Sequence, residues 1–380
     1  MISSLTALWT RTFGVLGRLS MYRLVVLSLA LLAVFAFVTS FFGVLAPRPL
    51  ELVAAWAVLG VTSVAVDAVA HRVLRTSWRW ESTLITVLIL LFVLRPTLEP
   101  LGLVGLAIAG AVASASKYLL AWQGRHIFNP AAVGATVLTI LSVWLPDLGA
   151  SAWWIGSPYL AAPVVVLGLL VLLRTEKVRV ILVFLVIAVV VALARTATQY
   201  QEAGLALDIG QVFWQILWSS PFLFLGAFML SEPLTLPPRR WQQFAVAGVV
   251  GVLAGWPIDI GEVSLGQERA LLVGNLIAFV FAFRSAVRLT LARRVALTPS
   301  VRELVFRAGR GFRFTAGQYL ELEVPHPRAD SRGTRREFSI VSAPEELPTV
   351  RIAMREGSQS SYKKALALVE PGQSLPVTGV

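Results

Sequence analysis

Three stretches near the C-terminus carry residue types that together could hold a phosphorylated, flat-ringed ligand. They are Phe314-Thr315-Ala316-Gly317-Gln318-Tyr319-Leu320, Arg336-Glu337-Phe338-Ser339-Ile340-Val341-Ser342 and Glu356-Gly357-Ser358-Gln359-Ser360-Ser361-Tyr362. If the second is a strand, alternation puts Arg336 and Phe338 on one face, a guanidinium for phosphate beside an aromatic surface for a planar ring. Ser339 points the other way and offers a hydroxyl and an amide nearby. Gly357 to Ser361 precede a helical pattern over Tyr362 to Leu368, so hydroxyls and free N–H groups open at a helix N-terminus suited to a pyrophosphate. A phosphate site, an aromatic platform and a second phosphate site describe a dinucleotide with a large planar ring. No one segment is diagnostic; their order and spacing are.

A second set of polar residues lies in apolar surroundings: Asn129 in His126-Ile127-Phe128-Asn129-Pro130-Ala131-Ala132, and Asn275 in Val273-Gly274-Asn275-Leu276. Pro130 suits the first turn of a helix, whose free N–H groups could face an anion or a polar ring. Hydrogen bonding between neighbouring helices explains the two Asn equally well. Asp67, Glu99, Lys117, Glu232 and Arg284 also fall in or near apolar runs, where a charge must pair, line water or act. With no Cys and only three His, disulfides, thiol nucleophiles and cysteine-ligated clusters are excluded, and no metal site is expected.

The elements that position these residues differ sharply along the chain. The sequence of 380 residues is 57% hydrophobic and 14% charged, with a mean hydropathy of +0.75, against about 25% charged residues in soluble domains. A wholly soluble protein is therefore excluded. Charges are sparse to about residue 291 and dense beyond, which divides the chain into a membrane part, 1–291, and a tail, 292–380. Ten apolar runs qualify or nearly qualify as spans: 23–45, 51–70, 82–94, 101–121, 128–145, 159–173, 179–195, 211–230, 243–257 and 270–291.

Net charge is +12. The excess sits mainly in short loops between apolar runs, which orients a membrane protein and is not a nucleic-acid footprint. With a cytoplasmic N-terminus, seventeen Lys and Arg from Arg11 to Arg294 fall inside and four, Arg48, Arg95, Arg195 and Arg269, outside. Ten spans return the tail to the cytoplasm. Arg11 and Arg18 precede a first run with no cleavage site after it, so that run is expected to be retained.

Two proline loops look alike, 93–100 (Val-Leu-Arg-Pro-Thr-Leu-Glu-Pro) and 230–238 (Leu-Ser-Glu-Pro-Leu-Thr-Leu-Pro-Pro), each after the third run of a set of five. Five spans is an odd number, so the halves, about 20–147 and 158–291, would be inverted repeats. In the tail, alternating segments at 294–297, 303–307, 319–324, 337–341, 349–354 and 374–377 predict a small six-stranded antiparallel β-barrel.

The string from Gly124 to Gly134, the Arg95-Pro96-Thr97 turn, Phe228-Met229-Leu230-Ser231-Glu232-Pro233 and Asn275 resemble the paired membrane proteins of the Rnf complex and the sodium-translocating NADH:quinone oxidoreductase. The resemblance spans roughly 20–290. It implies about ten helices in two inverted repeats, urea-transporter-like, in a bacterial inner (plasma) membrane, with flavin bound inside the bundle. The family's Ser-Gly-Ala-Thr site for covalent FMN has no counterpart in 146–158, so FMN or riboflavin there would be noncovalent. The family's Asp before Pro is Glu232 here.

The three tail motifs, over about 293–380, closely resemble the FAD-binding barrel of the ferredoxin–NADP reductase family. This implies that Arg336 contacts the flavin phosphate, Phe338 stacks on the isoalloxazine in place of the usual Tyr, and Ser339 approaches N5 as the catalytic group. Gly357, Ser360 and Ser361 would cradle the pyrophosphate, with Tyr319 in the cofactor set and Asn129 and Asn275 facing a bundle cofactor. In that family a nucleotide-binding domain follows the barrel, so the sequence is expected either to be a piece of a longer protein or to receive electrons from a partner. The function expected is a membrane flavoprotein oxidoreductase passing electrons from NAD(P)H through FAD to a flavin, a quinone or an extracytoplasmic acceptor, with Na⁺ or H⁺ coupling as an extension. A transporter or channel for a small solute or flavin, with the tail as sensor, is the alternative. Two bis-His haems would need four axial His, and the membrane part has only His71 and His126.

Overall fold

The computed structural model describes residues 20–74, 80–122, 125–237, 239–261, 263–284, 287–309, 312–327, 334–355 and 360–379. The chain divides into two compact units, Met1–Ala70 with Trp80–Phe279, and His71–Arg79 with Val280–Val380.

The first unit is helical: α1 (Met21–Ser40), α2 (Pro49–Leu74), α3 (Trp80–Val93), α4 (Pro100–Leu119), α5 (Pro130–Trp144), α6 (Pro158–Thr175), α7 (Val178–Glu202), α8 (Ile209–Ser219), α9 (Arg240–Gly255) and α10 (Gln267–Arg284). Proline opens α4, α5 and α6, where its missing N–H costs nothing and its φ is already helical. Among the described residues, five helices, α1, α2, α4, α6 and α7, are long and apolar enough to cross a membrane. A sixth span is added if α8 and Phe222–Leu230, bent by 48°, count as one. The sequence expectation of ten spans is thus met by five or six. α3 and α5 are apolar but only 14 and 15 residues long, about 21 and 22 Å of helix.

The long helices turn apolar side chains outward. On α7, Leu182, Val186 and Val190 stand one turn apart and are each more than half exposed, as are Leu27, Leu31 and Val34 on α1. In water such stripes would associate; in hydrocarbon they are the natural surface. Inside, small residues let helices approach closely. A Cβ at Gly134 of α5 would lie 2.4 Å from the Ala109 carbonyl oxygen and 2.8 Å from Ala113 Cβ of α4. Gly134→Ala is therefore expected to destabilise the bundle by about 1–3 kcal/mol, seen as a lower melting temperature in detergent. An unchanged melting temperature would contradict the close approach.

The second unit holds one antiparallel sheet: β1 (Val287–Thr298), β2 (Val301–Ala308), β3 (Tyr319–Glu323), β4 (Arg335–Ser339), β5 (Thr349–Arg355) and β6 (Ser374–Gly379), in the order β4-β3-β6-β1-β2-β5. The helix α11 (Ser361–Leu368) lies between β5 and β6 in sequence. Leu289, Leu291, Leu304, Phe306, Leu320 and Leu322 pack in its core, together with Tyr362 and Leu366 of α11.

The sheet is not the closed barrel expected from sequence. Its edges β4 and β5 are not ladder neighbours. After β4 the chain leaves the sheet through Ile340 and Val341 into the turn Pro344–Glu346, and Val341 N donates to Arg351 O at 2.8 Å. Two residues on, Ala343 N donates to the Glu346 side chain at 2.9 Å, so the bond is not continued into a ladder there. The first strand also starts earlier than the alternation implies. The apolar run 270–291 ends as helix at Arg284 and resumes as strand from Val287.

Candidate functional site

In the sheet unit, β3 and β4 pair with Leu320 opposite Phe338 and Leu322 opposite Arg336. Opposite residues of an antiparallel pair share a face, so Arg336 and Phe338 lie with the core-facing leucines. There they meet Tyr362. The Arg336 guanidinium carbon lies 5.1 Å from the Tyr362 ring centroid, and the Phe338 ring lies 6.0 Å from it at 32°. Tyr362 is fully buried and its hydroxyl donates to Leu322 O at 2.8 Å. Burial pushes that hydroxyl far above the ordinary phenol range; Arg336 pulls it down, and Glu321 and Glu323 push it further up. It stays protonated and acts as a fixed hydrogen-bond donor.

Ser339 lies opposite Tyr319 on the other face, both exposed. This end of the β3–β4 pair opens into a groove walled by Phe314, Thr315 and Gly317 on one side and Ile340, Ser342 and Pro344 on the other. The turn before β3 closes with Gln318 N donating to Thr315 O and Thr315 N donating to the Gln318 side chain. Gly317 sits at φ +87°, a conformation that disfavours any side chain.

The helix that faces these strands begins at Ser361, with Ser360 as its N-cap in extended conformation and buried. His326, two residues after Val324, holds this start. Its Nδ1 lies 2.7 Å from Val324 O and its Nε2 3.1 Å from Ser361 Oγ. Arg294 donates from Nη2 to Leu366 O and Val369 O at the other end of the helix. α11 is thus tied at both ends. Arg336, Phe338 and the start of α11 are brought to Tyr362, whereas Ser339 and Tyr319 pair on the other face and are not among the residues that wall the groove. Gly357 lies outside the described residues.

In the helical unit, Asn129 is the N-cap of α5, its Oδ1 accepting from Ala132 N at 3.1 Å. Its own N–H donates to Asn275 Oδ1 at 2.8 Å, so the two asparagines singled out in sequence touch. Asn275 lies inside α10, not at its start. Glu232 completes the group, accepting from Asn129 Nδ2 at 3.1 Å and lying 2.8 Å from His126 Nε2. His126, Asn129 and Glu232 border a pocket that is otherwise mainly apolar, lined by Tyr22, Ile85, Ile89 and Phe228 among others. A few convergent polar groups in an apolar pocket are what a flat heterocycle or quinone ring requires.

Two further buried charge clusters lie in this unit. Asp67, 1% exposed, accepts from Lys117 Nζ at 3.1 Å, Tyr118 OH at 3.1 Å and Thr83 Oγ1 at 2.5 Å. Glu268, fully buried, accepts from Ser151 Oγ at 2.6 Å and Trp153 Nε1 at 2.7 Å, and pairs with Arg269 at 3.1 Å. Of the charges named from sequence, Asp67 and Lys117 are partners, Glu232 joins the Asn pair, and Glu99 is exposed before α4. The Arg284 side chain lies outside the described residues. Glu268 carries no sequence signal of this kind because it precedes the apolar run 270–291. Tyr362 reads in sequence only as a helix start, and His326, a lone His between two prolines, gives no sign of its partner.

No protein-family model matches the sequence. The chain is similar to ferredoxin–NADP reductase B of Sorangium cellulosum (strain So ce56), 37% identical over 93 residues, 23% of this chain and 37% of that protein. It therefore spans well under half the length of that relative. Among solved structures, it aligns with the flavohemoglobin from Malassezia yamatoensis with bound FAD and heme, at 15% identity and a TM-score of 0.23, covering 58% of this chain and 63% of that one.

Proposed function

We propose that the sheet unit holds FAD and that the chain is a membrane flavoprotein oxidoreductase, passing electrons from NAD(P)H to an acceptor in the helical unit. The observation that carries this reading is the meeting of Arg336, Phe338 and the start of α11 around Tyr362, with an open groove at the end of the β3–β4 pair walled by Phe314, Gly317, Ile340 and Ser342. These residues fit a dinucleotide. Arg336 supplies a fixed cation for phosphate, Ser360, Ser361 and Gly357 would supply hydroxyl and N–H donors, and the groove is open enough for a flat ring. Flavin, when bound, takes two electrons as hydride and can release them singly. The 37% identity to a reductase supports the same reading.

In the helical unit, His126, Asn129 and Glu232 would orient a noncovalent flavin or a quinone ring in the apolar pocket, with Asn275 fixing Asn129. The resemblance of these residues to the membrane proteins of the Rnf complex and the sodium-translocating oxidoreductase supports this, together with inverted five-helix repeats and a bacterial inner membrane with both termini cytoplasmic. The exposed apolar stripes of α1 and α7 support insertion in a bilayer.

Anaerobic photoreduction of the full chain in nanodiscs tests the electron path. The flavin band is expected to bleach and to recover when a short-chain quinone is added, at a rate that Asn129→Ala lowers at least tenfold. A band that stays bleached, or a rate untouched by Asn129→Ala, would rule out transfer through this pocket.

A further inference from the structure

The hydrogen bonds of His326 fix its tautomer. Val324 O can only accept, so Nδ1 carries a hydrogen in the 2.7 Å contact. In the neutral imidazole Nε2 is then a bare acceptor, and the 3.1 Å contact to Ser361 is made by the Ser361 hydroxyl donating to it. That proton is turned away from the space ahead of the helix. When the ring gains a proton, Nε2 becomes a donor and Ser361 Oγ its acceptor. The hydroxyl hydrogen is released to another acceptor, and a positive charge appears beside the helix start.

We propose that His326 is a positioning residue of the FAD site, its protonation turning the Ser361 hydroxyl from the imidazole toward the cofactor phosphates. The inference rests on the FAD reading above and adds to it a pH-dependent grip. Around this ring and its neighbour Tyr362 stand groups from three elements. From α11 there is the Tyr362 ring, 6.3 Å away and edge-on, with Lys363 turned to Arg355 O. From β4, Arg336 lies against Tyr362. On β3, Glu321 and Glu323 act on Tyr362, and Glu323 accepts from Thr334. Tyr362, its hydroxyl held above the ordinary phenol range by burial, stays neutral.

The test is FAD titration of the full apo-chain in detergent, followed by flavin fluorescence from pH 5.5 to 8.5. The wild type is expected to bind about tenfold more tightly at the acid end, the low range for one charge-assisted hydrogen bond. His326→Gln, which cannot titrate, is expected to bind FAD with a flat pH profile, and Ser361→Ala, which has no hydroxyl to turn but keeps the imidazole charge, with a shallower profile than the wild type. Two variants guard against one failing to fold, and resistance of the tail to limited proteolysis reports that each has folded. A profile in either variant as steep as the wild type's, or a flat one in the wild type, with FAD bound in each case, would overturn the role of His326 and leave the FAD reading standing. Absence of FAD binding by the wild type at every pH would sink that reading and this inference with it.

Discussion

Replacing Asp67 with Ala is expected to cost the helical unit about 3–5 kcal/mol, the usual penalty for stranding one member of a buried ion pair. Asp67 and Lys117 are 2% and 7% exposed at their side chains, and the carboxylate also serves Tyr118 and Thr83. Without it, an ammonium and two hydroxyls in a low-dielectric interior lose the acceptor they share. The double variant Asp67→Leu with Lys117→Met removes both charges and is expected to recover much of the loss. Melting of the purified protein in detergent separates the two. A single variant as stable as the wild type, or a double variant no better than the single, would contradict a paired core.

Arg336→Ala is expected to weaken FAD binding about 10- to 150-fold, the range for losing one hydrogen-bonded charge at a phosphate. Arg336→Lys keeps the charge but not the planar two-pronged donor and is expected to fall between. The guanidinium also lies over Tyr362, so part of any loss is packing. The lysine variant sorts these contributions, since it restores charge without the flat contact. Flavin content after purification, measured with the fold of the tail checked by circular dichroism, gives the comparison. Equal flavin content in Arg336→Ala and wild type would remove Arg336 from the site.

Legibility in the sequence follows the range of the interaction concerned. Alternation over Arg336 and Phe338 is local, and the strand β4 and its two faces emerge as expected. The helix after Ser360 and the proline starts of α4, α5 and α6 are equally local. Pairing across the chain is not legible. Asp67 and Lys117 stand out as charges that need partners, but 50 residues separate them and nothing in either neighbourhood names the other. Glu268 is held by Ser151 and Trp153, more than a hundred positions away.

Barrel closure fails for a related reason. Strand content sets how many strands form, whereas closure depends on whether β4 and β5 pair, which the alternation within neither strand decides. His326 shows the same limit. Its partner Ser361 lies 35 residues on, at the start of a helix that the sequence does place.

Whether residues 292–380 hold FAD decides all of the chemistry proposed above. Acid extraction of the purified full chain, with chromatographic identification of what is released, answers that question. One FAD per chain is expected, with a matching band near 450 nm before extraction that is lost in Arg336→Ala. Colourless protein that releases no flavin, and takes up none on reconstitution, would contradict a flavin site in the tail.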